Sequence, residues 1–153
     1  MRVRIPVDYS LIDWYGRGPY ENYPDRKTGS FIGTYNSKLV NFITPYPAPQ
    51  DNSNRCDVRW FSMSTQNYNS IRITGLQPLC FRAWPYTEED LETAKHDYQL
   101  PFRDFINLNI DLNIHGVGGD DTWGAKTMEK YTIPGNKPYS YGFILEYTRA
   151  RQF

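Results

Sequence analysis

Acidic side chains are the first candidates for chemistry in this chain, which has 17 of them. Hydrolysis of a sugar bond uses two carboxyl groups that face each other about 5 to 9 Å apart. Asp120 and Asp121 are adjacent, so an extended backbone would point their side chains to opposite faces. The other candidates are either in one predicted helix with exposed acids or isolated: Glu88, Glu89, Asp90, Glu92, Glu129 and Glu146. The sequence therefore predicts no catalytic carboxylate pair within this chain.

Histidine, phosphate and metal chemistry have equally weak support. His96 and His115 are the only two histidines, and no Gly-x-Ser-x-Gly elbow is present. The glycine-rich run 116–119 follows a predicted strand, opens no helix and continues into two aspartates that would repel phosphate. Aspartates beside glycines more often hydrogen-bond their own turn than hold a metal ion. Neither a phosphate site nor a metal site is predicted.

Trp123 is the remaining candidate for binding. It follows the turn 118–121, where backbone freedom and local side-chain caps could hold a large ring on the rim of the fold. From composition alone, a core position is the favoured alternative for this residue. Trp14, Trp60 and Trp84 lie in strand-like runs and are predicted to be core residues.

The elements that would position these residues are mainly strands. Turn-forming residues interrupt the chain every roughly 8–15 positions, and the segments between them alternate or are rich in β-branched and aromatic residues. In the run 107–114 the alternation is complete, so its four aliphatic residues should share one face. The predicted strands are Leu11–Tyr15, Asp57–Met63, Ser70–Thr74, Leu79–Trp84, Asn107–His115 and Tyr139–Tyr147.

One short helix is predicted at about Glu88–His96. Thr87 and Asp90 have the spacing of a capping box, which begins a helix. Leu91 and Ala94 are three residues apart and could dock the helix on the sheet, whereas the acids would face solvent.

Composition narrows the function. Lysine plus arginine and aspartate plus glutamate total 17 each, so the zero net charge predicts neither a nucleic-acid nor a membrane partner. No apolar run reaches the roughly 18 residues of a membrane helix, and the first residues do not form a signal peptide. Cys56 and Cys80 are predicted to be half-buried thiols whose pairing stays open. The aromatic content of 16% suits twisted sheets and sugar-binding surfaces.

The run 14–26 resembles a long sequence signature. It matches W-x-G-x-G-P-x-E-N-Y-P-D-R, which is found in large bacterial β-galactosidases of glycoside hydrolase family two. Further blocks of that family follow in order at 44–50, 54–59, 86–91 and 116–123, so the resemblance covers nearly the whole chain. The matching residues, all assigned a structural role, are Trp14, Gly16, Gly18, Pro19, Glu21, Asn22, Tyr23, Pro24, Asp25, Arg26, Gly118, Gly119, Asp120 and Asp121.

The resemblance implies a fold and a role. In that family a (β/α)₈ barrel carries the two catalytic glutamates, and the last domain is an antiparallel β-sandwich of the galactose-mutarotase-like supersandwich type. Residues 1–153 are similar to the second half of that sandwich, as one domain incomplete at its N-terminus. The tryptophan after Gly-Gly-Asp-Asp stacks on substrate in the family, so the resemblance assigns substrate binding to Trp123 and no catalytic residue to this chain.

Further implications concern the parent enzyme, a retaining β-galactosidase acting on substrates such as lactose. Its partners for this chain would be the remaining domains, including the barrel, and a galactoside. The family commonly uses Mg and Na ions bound in other domains and forms homo-oligomers. The resemblance indicates a bacterial protein and leaves the cytoplasm and the periplasm open. The isolated fragment should be inactive and should either associate through a strand edge or expose an apolar patch.

Two alternatives stay open. A free-standing carbohydrate-binding sandwich would use exposed Trp123, Tyr20 or Tyr23 without a catalytic partner. A mutarotase-like enzyme would need His96 and His115 in one pocket with a carboxylate.

Overall fold

The computed structural model describes residues 1–121 and 123–149. These residues form seven strands, two short α-helices and two 3₁₀ turns at 97–99 and 129–131. The all-β prediction is confirmed, because the described chain is nearly all antiparallel sheet, as in a β-sandwich. The elements are β1 (Arg2–Pro6), β2 (Leu11–Gly18), β3 (Phe31–Lys38), α1 (Leu39–Phe42), β4 (Arg55–Ser64), β5 (Ser70–Trp84), α2 (Glu88–Thr93), β6 (Phe105–Asp111) and β7 (Phe143–Thr148).

Strand β5 organises the sheet. The seven strands form one sheet in the order β1-β6-β5-β4-β2-β3, and β7 also pairs with β5. The first part of β5, Ser70–Gly75, pairs with β7, whereas its last part, Cys80–Trp84, pairs with β6. The two strands predicted at 70–74 and 79–84 are therefore one strand of 15 residues. Pro78 lies between its two paired parts, where the lack of an N–H removes a ladder hydrogen bond.

The core is rich in aromatic rings. The rings of Phe61 and Phe81 are stacked with centroids 4.1 Å apart, and Trp14 packs edge-on to Phe42 at 5.6 Å. Full burial of each such side chain contributes about 2–3 kcal/mol. Trp14 and Trp84 are buried as predicted.

The core prediction was wrong for Trp60. This side chain is only half-buried, and the guanidinium of Arg72 lies 4.0 Å from its ring centroid. The two residues lie on neighbouring strands, β4 and β5, on the face opposite the one that buries Phe61. Successive side chains of a strand point to opposite faces, so only one of two consecutive rings can lie in the core.

Strand β6 differs from the sequence prediction in its length and in the burial of its polar residues. It ends at Asp111, so the predicted extension to His115 is absent. Asn107 and Asn109, predicted to lie on the polar face, are buried and donate hydrogen bonds of 2.8 and 3.2 Å to the carboxylate of Glu88. That carboxylate also lies 3.1 Å from the guanidinium of Arg2. Glu88 therefore faces the sheet rather than solvent.

The predicted helix is present but shorter. Thr87 and Asp90 form the predicted capping box, in which each side chain accepts a hydrogen bond from the backbone N–H of the other residue. Helix α2 ends at Thr93 and buries Leu91, so the predicted end at His96 was too late. None of the described helices is long and apolar enough to cross a membrane.

The outer strands expose apolar side chains. Strand β3 pairs only with β2 among the described strands and exposes Phe31 and Ile32. Strand β7 begins at Phe143, later than the predicted Tyr139, and exposes Leu145 and Tyr147. The expected exposed apolar surface is therefore present on both strands.

Candidate functional site

Trp123 projects from the surface of the fold into solvent. Its side chain is 93% exposed, so the alternative of a core position does not apply. Its backbone N–H donates a 2.9 Å hydrogen bond to the carboxylate of Asp121, and the N–H of Ala125 donates one of 3.1 Å to the same oxygen. The hydrogen bond from Ala125, followed by that from Trp123, lowers the pKa of Asp121. Together the two bonds form a tight turn around the tryptophan. Gly124, at φ 91°, has a backbone conformation that suits glycine.

The loop before Trp123 is bound by the Gly18–Arg26 segment. Asp25 accepts hydrogen bonds from the backbone N–H of Val117 at 3.1 Å and of Gly118 at 2.8 Å. Arg26 donates to the carbonyl of Gly118 and, at 3.2 Å, to the carboxylate of Asp120. Burial raises the pKa of Asp25, but the amides of Gly118 and Val117 outweigh it, so the pKa is lowered overall. Two motifs recognised separately in the sequence thus meet at this site.

Gly116 and Gly118 of this loop occupy positions that favour glycine. Gly118 has φ 65°, a conformation that other residues rarely adopt. A Cβ atom on Gly116 would lie 2.8 Å from the Asp25 carboxylate. The same backbone is anchored on its other side, because the N–H of Gly116 donates to the carbonyl of Tyr131 at 2.9 Å.

Glu21 and Asn22 bind a second loop, 44–54. Glu21 accepts a hydrogen bond of 2.6 Å from the N–H of Ser53 and another from the hydroxyl of Tyr46. Asn22 accepts at its side chain from the N–H of Cys56 at 2.8 Å and exchanges main-chain and side-chain bonds with Asn54. The structural role expected of these motif residues stays a prediction, and these contacts support it.

A cavity of about 390 Å³ lies where these loops meet. It combines two carboxylates, a guanidinium and two phenol rings, which suits a ligand rich in hydroxyl groups. The lining residues are Glu21, Tyr23, Arg26, Tyr46, Gln50, Asp51 and Val117.

The two carboxylates of this cavity are already engaged. Both oxygens of Glu21 accept protein hydrogen bonds, and Asp51 lies 3.0 Å from the guanidinium of Arg82. Burial raises the pKa of Asp51, which Arg82 partly opposes. With these partners, the protein holds both carboxylates in place. The arrangement can bind and orient a ligand.

Neither histidine completes an acid–base site. His96 stacks on Tyr98 with ring centroids 5.3 Å apart, and Nδ1 of His115 lies 2.8 Å from the carbonyl of Gly116. In the described ranges neither of them contacts a carboxylate, so the mutarotase-like alternative lacks its pocket. Within the same ranges no group of three or more His, Cys, Asp or Glu side chains could hold a metal ion.

One cluster near the site was not predicted. Asp57, at φ 53°, binds Arg17 at 2.5 Å and Lys27 at 3.0 Å, and Arg17 also donates to the carbonyls of Lys27 and Ser30. These bonds tie the segment after Arg26 to β4. Only the positions of Arg17 and Asp57 within two sequence blocks could have suggested a link between them.

Comparison with known proteins assigns the family. A family model for the β-galactosidase small chain matches residues 1–145. The chain is 38% identical to a β-galactosidase of Priestia megaterium over 138 residues, which is 90% of this chain and 13% of that protein. It is 34% identical to one of Halalkalibacterium halodurans over 141 residues, covering 92% and 14%, and 31% identical to one of Streptococcus thermophilus over 143 residues, covering 93% and 14%. The chain thus spans about one seventh of the relatives it matches, and it belongs to the β-galactosidase small-chain family.

Proposed function

We propose that this chain is the C-terminal part of the small-chain β-sandwich of a retaining β-galactosidase of glycoside hydrolase family two. Residues 1–153 form one domain that continues into further sandwich strands before Arg2. The remaining domains, including a (β/α)₈ barrel, supply the two catalytic glutamates and cover the apolar residues exposed on β3 and β7. The parent enzyme hydrolyses terminal β-galactosides such as lactose and is a homo-oligomer. The isolated chain is inactive.

In this proposal Trp123 forms one wall of the galactoside site. The observation that carries it is a tryptophan ring 93% exposed on a turn that its own backbone hydrogen bonds hold. An indole face stacks on the C–H face of a sugar, and it has no group that could break the glycosidic bond. The ring therefore contributes to binding of the sugar or the leaving group rather than to the chemical step.

Replacement of Trp123 in the full-length enzyme tests the proposal. Loss of a stacking contact worth about 1–3 kcal/mol raises KM by about 5- to 150-fold. We expect this for Trp123→Ala with lactose, a smaller rise for Trp123→Phe, and little change in kcat. Since the ring is exposed, Tm should stay the same. Tyr98→Ala removes another exposed ring and serves as the control. An unchanged KM for lactose and for transgalactosylation acceptors in Trp123→Ala would contradict the proposal.

A free-standing sugar-binding module is the second candidate. The exposed rings of Trp123 and Tyr20 favour it, whereas Tyr23 is only 5% exposed and cannot offer its face. Calorimetry of the isolated chain with a β-galactoside distinguishes the two. Appreciable affinity of the isolated chain for the galactoside supports the free-standing module. No measurable heat of binding supports a site that needs the other domains of the enzyme.

A further inference from the structure

The segment that carries Trp123 has almost no core of its own. Residues 119–121 and 123–126 are all exposed. A Cβ atom added to Gly119 or Gly124 would meet nothing within 4 Å, and both glycines have positive φ. Exposed, glycine-rich backbone has many accessible conformations, so hydrophobic burial does not select one of them. The order of this segment has to come from polar contacts.

The contacts with the Gly18–Arg26 segment come from two consecutive residues, while Asp121 holds the turn at Trp123 and the N–H of Gly116 binds the carbonyl of Tyr131. Asp25 binds the N–H groups of Val117 and Gly118, and Arg26 binds the carbonyl of Gly118 and the carboxylate of Asp120. The partners are separated by 92 to 94 residues in sequence, so they connect the loop to a distant part of the chain. Charged partners make each of these hydrogen bonds stronger than a neutral one.

We infer that Asp25 and Arg26 are positioning residues for Trp123. They hold the loop 116–120 from both its donor and its acceptor side, and so set where the indole ring stands. The inference rests on the proposed function of Trp123 and adds to it the residues on which the placement of the ring depends.

The sharpest variant is Asp25→Asn in the full-length enzyme. Asparagine has the size of aspartate, but its amide nitrogen is a donor that faces the N–H of Val117 or Gly118. We expect KM for lactose to rise about five-fold with kcat unchanged. Arg26→Lys keeps the charge and loses the fork that reaches Gly118 and Asp120 together, so it should produce a smaller rise.

A double-mutant cycle with Trp123→Ala separates positioning from a general structural role. If Asp25 acts through the ring, Asp25→Asn causes no further rise in KM once the ring is absent. Asp13→Asn, which removes a carboxylate on β2 that makes no hydrogen bond to the loop in the described residues, is the matched control and should leave KM unchanged.

The outcomes are distinct. An unchanged KM in both Asp25→Asn and Arg26→Lys overturns the inference, and so does a rise in KM that persists in full in the Trp123→Ala background. A fall in kcat without a rise in KM also overturns it. If Trp123→Ala itself leaves KM unchanged, the proposed function fails, whereas a rise for Trp123→Ala alone leaves that function standing and removes only the positioning role.

Discussion

Glu21 accepts a 2.6 Å hydrogen bond from the backbone N–H of Ser53, a buried residue held at φ 63°. A serine in this conformation is strained relative to glycine, and the bond to a carboxylate stabilises it. The same carboxylate accepts from the Tyr46 hydroxyl, and this bond is the main reason that the pKa of Tyr46 is raised to about 12. Glu21 thus connects the Gly18–Arg26 segment to the loop 44–54.

Glu21→Ala should destabilise the fold by about 2–3 kcal/mol, because it leaves the Ser53 N–H and the Tyr46 hydroxyl without their acceptor. Glu21→Gln keeps one acceptor oxygen and should cost less. Urea denaturation followed by circular dichroism measures both. Glu92→Gln, on the exposed side of α2, is the control, and an Ala variant no less stable than this control would contradict the role of Glu21.

Gly16→Ala should also destabilise the fold, for a steric reason. A Cβ atom on Gly16 would lie 2.7 Å from Cγ2 and 2.8 Å from Cα of Val58 on the neighbouring strand. Since the Cα atom cannot rotate away, the strands must separate, at a cost of about 1–3 kcal/mol. Gly29→Ala, where nothing lies within 4 Å, should change the free energy of unfolding little. Equal stabilities of the two variants would show that β2 and β4 separate freely.

Acid should weaken the cluster around Asp57. Burial raises the pKa of this carboxyl, but the hydrogen bonds from Arg17 and Lys27 outweigh it, so the pKa is lowered from its ordinary 3.8. The ionised group therefore stabilises the fold above pH 3.8, and this contribution is lost as the pH falls through the lower pKa of the folded state. Asparagine tolerates positive φ as aspartate does, so Asp57→Asn removes the charge without straining the backbone.

Melting temperatures across pH 7 to about 2.5 test this expectation. The wild type should be more stable than Asp57→Asn at neutral pH, and the difference in Tm should shrink below about pH 4. Asp13→Asn removes a carboxylate without an ion pair among the described residues and is the control. A difference between wild type and Asp57→Asn that stays constant down to the lowest pH would contradict the assignment.

Cys56 and Cys80 should form a disulfide under oxidation. Their sulfur atoms lie 3.6 Å apart on neighbouring strands, and both thiols are free and buried. The hydrogen bond with Cys80, followed by Lys27, lowers the pKa of Cys56 despite its burial. Both residues line a cavity of about 510 Å³, through which a small oxidant can reach them. A shift of about 1.5 Å brings the sulfurs to bonding distance.

Treatment with diamide should remove two hydrogen atoms from the protein, as the two thiols join and the azo bond is reduced to a hydrazine. The bond links residues 24 apart and should stabilise the fold by up to about 3.5 kcal/mol. Intact mass and thiol titration in denaturant measure the reaction, with Cys80→Ser as the control. Two titratable thiols remaining after diamide would show that the pair cannot close.

Part of the fold could be predicted because its causes are local. Turn residues and alternation located five of the seven strands, and the capping box at Thr87 located the beginning of α2. Strands β1 and β3 were missed, since β1 is short and ends in Pro6, and β3 contains Gly33 and Asn36 without clear alternation. Both owe their conformation to the neighbours they pair with, which a local pattern does not contain.

The sequence by itself determined the all-β character, the buried Trp14 and Trp84, and the candidacy of Trp123, because each follows from residue type and nearest neighbours. Only the tertiary structure decided that the Trp123 ring lies in solvent and that Asp25 and Arg26 hold its loop. Hydrogen bonds across more than 90 residues arise when the sheet brings distant segments together. No spacing along the chain encodes them, so the environment of Trp123 had to be observed in the folded chain.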